Sequence, residues 1–152
     1  MKICAFTGHR NIPYADIISM PQKLGDIIEQ LISEGVREFR CGGAQGFDTI
    51  AALKVLEAGK QHSGVQLALF LPCKDQSRAW SESAKAIYER IIEMADSVTY
   101  TSEEYYRGCM HARNRAMIEG ADVCVAYCTS SHGGTAYTVE YARSKGTKVI
   151  MI

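Results

Sequence analysis

The chain has only three prolines, one tryptophan and no excess of either charge in its 152 residues. So few prolines, with no Pro/Gly/Ser linker, repeat or low-complexity tract, leave no sign of a spacer between modules. At roughly 100 to 200 residues per domain, one domain over residues 1–152 is expected. Lys+Arg and Asp+Glu each number 17, a formal net charge of zero. That balance argues against a nucleic-acid or anionic-membrane partner held by bulk charge and leaves room only for a local basic pocket. No apolar run approaches the roughly 18 to 20 residues of a membrane span, and the N-terminal run Ile3 to Phe6 is too short for an export signal. No membrane association is expected. The six cysteines contain no CxxC pair. Without an export signal they read as small core residues in a reducing cytoplasm rather than as disulfides. Cys73, Cys109, His111, Cys128 and His132 lack the tight spacing of a zinc site, so no metal or cofactor is implied. The fingerprints GxGxxG and GxxxxGK[ST] are absent as well, and no Ser-His-Asp arrangement has local support.

Hydrophobic residues make up 47% of the chain, enough for a substantial core. Short β-branched and aromatic runs alternate with stretches of helical period, the pattern of repeated β-α units. The expected strands are Lys2–Thr7, Val36–Cys41, Val65–Leu71, Ser97–Tyr100, Asp122–Tyr127 and Thr147–Ile152. The expected helices are Gln22–Glu34, Phe47–Gln61, Ser77–Ala95, Glu103–Glu119 and Thr135–Ser144. Near-continuous apolar strands such as Leu67 to Leu71 belong to sheets covered on both faces. The fold class is therefore α/β, a Rossmann-like, doubly wound and mostly parallel sheet of about six strands with helices on both faces. In such sheets ligands bind beyond the carboxyl ends of the strands, where the winding reverses. Gly8, the Gly42-Gly43 pair and the Gly133-Gly134 pair all follow strands, where glycine lets the backbone turn and a ligand approach closely. Together they describe a cradle for an anion.

Four segments carry candidate chemistry. Gly8-His9-Arg10 leaves the first strand, with backbone N–H groups and a guanidinium suited to phosphate; a solvated turn is the plainer alternative. In Cys41-Gly42-Gly43-Ala44-Gln45-Gly46-Phe47-Asp48, Asp48 stands near a helix start, as a cap, as a partner of ribose hydroxyls, or both. Tyr106, Met110, Arg113 and Met117 share one helical stripe, so Arg113 needs an anionic partner, either a protein carboxylate or a bound phosphate. His132-Gly133-Gly134-Thr135 runs into a helix whose free N–H groups and dipole favour phosphate. Glu140, one and a half turns further on, is either a surface acid paired with Arg143 or a cleft carboxylate fit for acid/base work or ribose binding.

Taken together, these segments resemble the SLOG superfamily, the Rossmann-like domains named for the Smf/DprA and LOG proteins. Gly42 to Thr49 is similar to the GLARGID motif of DprA, Arg113-Asn114-Arg115 to its RNR, and Gly133 to Thr138 to its SGSLxT turn. Met110-His111-Ala112-Arg113 resembles the MHER of LOG enzymes, while Gly133, Gly134 and Glu140 match parts of their GGxGTxxE; Ala136 and Tyr137 replace its Gly and Thr. The length and the TGHR start are most like the small bacterial members called YpsA-like. The LOG resemblance implies that Arg113 and Glu140 form the catalytic pair of a nucleoside monophosphate phosphoribohydrolase, and the DprA resemblance implies single-stranded DNA binding. The expectation adopted is binding of a nucleotide or nucleotide-derived ligand (a nucleoside monophosphate, ADP-ribose or an NAD relative) by a sensor or regulatory protein. Its phosphate would rest on Gly8–Arg10 and Gly133–Thr135, beside Gly42 and Gly43. Arg113 would offset its charge, and Asp48 or Glu140 would touch ribose. An apolar helix face would allow a homodimer.

Overall fold

The computed structural model describes residues 1–152. Eleven elements follow one another as β1 (Lys2–Gly8), α1 (Tyr14–Ser33), β2 (Val36–Cys41), α2 (Phe47–Gln61), β3 (Gln66–Leu71), α3 (Glu82–Met94), β4 (Ser97–Tyr100), α4 (Cys109–Ile118), β5 (Val123–Tyr127), α5 (Gly134–Ser144) and β6 (Lys148–Met151). The strands form one sheet in the order β4-β3-β2-β1-β5-β6, and every pairing is parallel. The chain winds outward from β1 through β2, β3 and β4, then returns to place β5 on the other side of β1. The reversal point is therefore the gap between the ends of β1 and β5, where an open α/β sheet offers a crevice.

Side chains alternate across β1 and sort the core into two layers. Cys4 and Phe6 pack with Leu24, Ile28, Phe39, Phe47 and Leu69 in a cluster of 23 buried residues shared with α1, α2 and α3. Ala5, between them, joins Met117, Ile118, Cys124 and Ala142 in a cluster of five beneath α4 and α5. The small layer is supplemented by Arg40, which donates to the Met117 carbonyl at 3.0 Å and to that of Glu119 at 2.6 Å. It thereby satisfies carbonyls at the end of α4 that have no helical partner. No helix is long and apolar enough to cross a membrane.

Three helices start well away from the expected residue, and α5 starts one residue early, at Gly134. The first begins at Tyr14 rather than Gln22 and runs through Pro21. A proline there removes one backbone bond, but Met20 and Leu24 are buried on either side of it, and Asp16 is tied to the sheet by the Tyr127 hydroxyl, which donates to Oδ2 at 2.6 Å. Tertiary burial overrides the local break. The third helix begins only at Glu82, where the Ser81 hydroxyl accepts the Ala84 N–H at 3.2 Å as an N-cap. The fourth begins at Cys109 because Gly108 takes the left-handed conformation, φ 95°. Tyr106 consequently lies outside the helix and is exposed, so the expected stripe reduces to Met110, Arg113 and Met117.

Candidate functional site

The turn after β1 lies across the start of α2, and glycine is what permits it. A Cβ on Gly8 would fall 2.3 Å from Phe47 Cγ, and one on Gly46, at φ +80°, would fall 2.1 Å from the Arg10 carbonyl oxygen. The His9 carbonyl accepts the Phe47 N–H at 3.1 Å. On its other side, His9 Nε2 accepts the Thr129 backbone N–H at 2.9 Å, and its ring stands edge-on to Tyr127 with centroids 5.6 Å apart. The Gly8–Arg10 turn is thus held between α2 and the loop after β5. That loop ends in Gly133, φ +100°, and Gly134, and a Cβ on either would meet nothing within 4 Å. Their lack of a side chain leaves open space above the first turn of α5, which no side chain caps and whose leading N–H groups point outward. The Thr138 hydroxyl turns inward to the Gly134 carbonyl at 2.9 Å, and Thr135 is buried.

Asp48 is 5% exposed. Its Oδ2 accepts the Ala44 N–H at 3.2 Å, while the Thr49 hydroxyl donates to the Ala44 carbonyl at 3.1 Å. The acid therefore closes the turn that precedes α2 and does not cap that helix's own first turn, where the N-cap is Gly46. Burial pushes its carboxyl up to about 6, against the opposing pull of Arg113, the Ala44 N–H and Arg10.

Arg113 is 4% exposed. One guanidinium nitrogen donates to the Gly42 carbonyl and also reaches that of Phe70 at 3.3 Å; Nε donates to Asn114 Oδ1 at 2.8 Å. Its acceptors are main-chain oxygens at the ends of β2 and β3 and the Asn114 amide oxygen, and no protein carboxylate is hydrogen-bonded to it. Asp48 contributes through its nearby charge, and burial lowers the Arg113 pKa against that contribution. A Cβ on Gly42 would lie 2.7 Å from Arg113 Cζ and 2.9 Å from Asp48 Oδ2, so this glycine makes room for both groups.

These pieces enclose a polar cleft of about 230 Å³ at the gap between β1 and β5. Of the expected residues, Gly8, His9, Arg10, Asp48, Arg113, Gly133, Gly134 and Thr135 all line it. Gly42 lies behind Arg113, and Gly43, φ +72°, turns toward Leu71 and Tyr88 on the α3 side. Glu140 is elsewhere: it is exposed on α5 and lines a separate hollow with Cys128, Ser130, Ser131 and Arg143. The pairing of Arg113 with Glu140 implied by the LOG resemblance is therefore not assembled, because a side chain one and a half turns into α5 points away from the sheet end. Thr7, Ala44, Asn114 and His132 also line the cleft, although the sequence reading gave none of them a ligand role. Each adjoins a residue it did select, and adjacency along a turn was the available signal. No group of three or more His, Cys, Asp or Glu side chains converges as a metal site would require.

A second cavity of about 230 Å³ adjoins the first, between α1, α2 and α3, and the two share Arg10 and Asp48. Its walls are largely apolar, with Ile12, Ile50, Trp80 and Tyr88 among them.

The SPbeta prophage-derived protein YoqJ of Bacillus subtilis (strain 168) is 29% identical over 140 residues, 84% of this chain and 82% of its own. Among solved structures, DNA processing protein A (DprA) of Streptococcus pneumoniae superposes with a TM-score of 0.71 at 16% identity, covering 99% of this chain and 50% of that one. DprA of Helicobacter pylori, a structure concerned with single-stranded DNA binding, superposes with a TM-score of 0.68 at 18% identity over 99% of this chain and 64% of that one. This chain thus spans half to two-thirds of those DprA chains, and the likeness is one of fold. The YspA SLOG family model matches residues 6–150, from the middle of β1 into β6, and the chain belongs to that family.

Proposed function

We propose that the cleft between β1 and β5 binds a nucleotide or nucleotide-derived ligand through its phosphate, as part of a sensor or regulatory protein. The observation that carries this reading is the convergence of Gly8–Arg10, Asp48, Arg113 and Gly133–Thr135, from four separate segments, on one cleft. Two guanidinium groups face one carboxyl there, so the balance favours an anion. The free N–H groups at the start of α5 supply donors fixed in place, and the dipole of that helix adds to them. Arg10, exposed and adjacent, is placed to close on a phosphate from the solvent side.

A thermal-shift panel of AMP, GMP, CMP, ADP-ribose, NAD and cyclic nucleotides tests it. At least one compound is expected to raise the melting temperature, and Arg10→Ala to remove the effect; a flat panel overturns the reading. Glycosidic hydrolysis is a second reading only through Asp48, the acid within the cleft. It predicts release of free base from a nucleoside monophosphate, lost in Asp48→Asn and retained in Glu140→Gln. For single-stranded DNA, a labelled oligonucleotide that fails to bind even at low salt removes that alternative.

A further inference from the structure

We propose that the apolar cavity between α1, α2 and α3 is a subsite for a planar heterocyclic base, so that a ligand whose phosphate occupies the polar cleft reaches across Asp48 and lays its base against Trp80 and Tyr88. This rests on the phosphate-binding reading of the cleft. Two observations lead from one to the other.

The first is order in space. The two cavities meet at Arg10 and Asp48, which line both. From the α5 end, the surface runs through helix N–H donors, then a buried carboxyl with a guanidinium beside it, then an apolar hollow. A nucleotide runs in the same sequence, through phosphate, hydroxylated sugar and flat apolar ring.

The second is the wall itself. Trp80 and Tyr88 meet edge to face, with centroids 5.0 Å apart and planes at 71°, and the half-buried Trp80 and the side chain of Ile87 form the open side. Aromatic groups in this arrangement offer a flat face for stacking while their partner ring supports them from behind. A cavity of about 150 Å³ holds benzene, so about 230 Å³ has space for a heterocycle of one or two rings.

Trp80 is the only tryptophan in the chain, so its fluorescence reports on the cavity alone. The test titrates the full chain with AMP, GMP, CMP and ADP-ribose, and with ribose 5-phosphate as the base-free probe, following both Trp80 emission and heat of binding. The proposal expects a base-bearing compound to quench Trp80 and to bind at least about fivefold more tightly than ribose 5-phosphate, since stacking on an aromatic side chain is worth about 1–3 kcal/mol. Ala84→Leu, which fills the cavity from α3, is expected to erase that advantage and leave ribose 5-phosphate binding as it was. Binding of a base-bearing compound with Trp80 emission unmoved, or with affinity no better than that of ribose 5-phosphate, overturns the subsite while the phosphate cleft stands. If no compound binds, ribose 5-phosphate included, the cleft reading fails and takes the subsite with it. The wild-type quenching decides the matter even if Ala84→Leu does not fold.

Discussion

The Arg113 guanidinium fills the space that the missing side chain of Gly42 leaves, and donates to that residue's carbonyl. Helix α4 and the end of β2 are thereby fastened at a point buried from solvent. Gly42→Ala would drive a Cβ to within 2.7 Å of Arg113 Cζ. The expected loss is about 1–3 kcal/mol, as for an overpacked core, measured by urea unfolding. In an Arg113→Ala background the same glycine substitution should cost less, because the nearer obstructing group is gone and only Asp48 Oδ2, 2.9 Å from that Cβ, remains. Equal costs in the two backgrounds would mean that the contact is not what constrains position 42.

Asp48 gives the protein a pH dependence of stability with an unusual sign. Burial raises its carboxyl to about 6, so between about pH 4 and 6 the native state holds a proton that the unfolded chain has released. Stability then falls as pH rises through this window, and above it the buried carboxylate costs up to about 3 kcal/mol. Asp48→Asn removes the titration but keeps an acceptor for the Ala44 N–H. Urea unfolding at several pH values should show the variant gaining on the wild type from about pH 4 to pH 6 and holding a constant lead beyond. Parallel profiles would contradict this.

Glu140 should prove dispensable for the cleft. It is exposed and lines a different hollow, so Glu140→Gln is expected to change stability by less than about 0.5 kcal/mol. Calorimetric titration should find the affinity for any cleft ligand within twofold of the wild type. A tenfold loss would mean that α5 rearranges on binding.

His9 links two loops through one hydrogen bond, from the Thr129 N–H to Nε2. In His9→Ala, hydrogen exchange at the Thr129 amide should speed up, along with that of the Gly133–Thr135 segment. The strands themselves should keep their protection. Unchanged exchange after the substitution would show that the loop after β5 holds its shape without the histidine.

Periodicity made the sheet legible. The bounds of β2, α2 and β4 coincide with those expected from the sequence, because glycine or other turn residues mark where each one starts or stops. The misjudged helix starts have local causes that pattern alone does not reveal. Pro21 reads as a break until the burial of Met20 and Leu24 is known, and Gly108 reads as a tolerated helix glycine until its φ of 95° is seen. At the cleft, glycine turns at strand ends were enough to find Gly8 and Gly133, since parallel topology dictates that such turns share an edge. The partners of Arg113 could not be read, because carbonyl oxygens carry no side-chain signature. The direction of Glu140 depended on the rotation of α5 about its axis, which a single acid in a short helix does not fix.

Because Arg113 belongs to the thin layer of α4 and α5 yet grips Gly42 at the threshold of the thick layer of α1 to α3, the crevice lies at the sheet edge where residues from both faces come within reach of one another. Whatever lodges there touches both layers at once, and so works against their parting in the manner of a wedge glued on both faces. A small occupant would be felt as stiffness far beyond its own footprint.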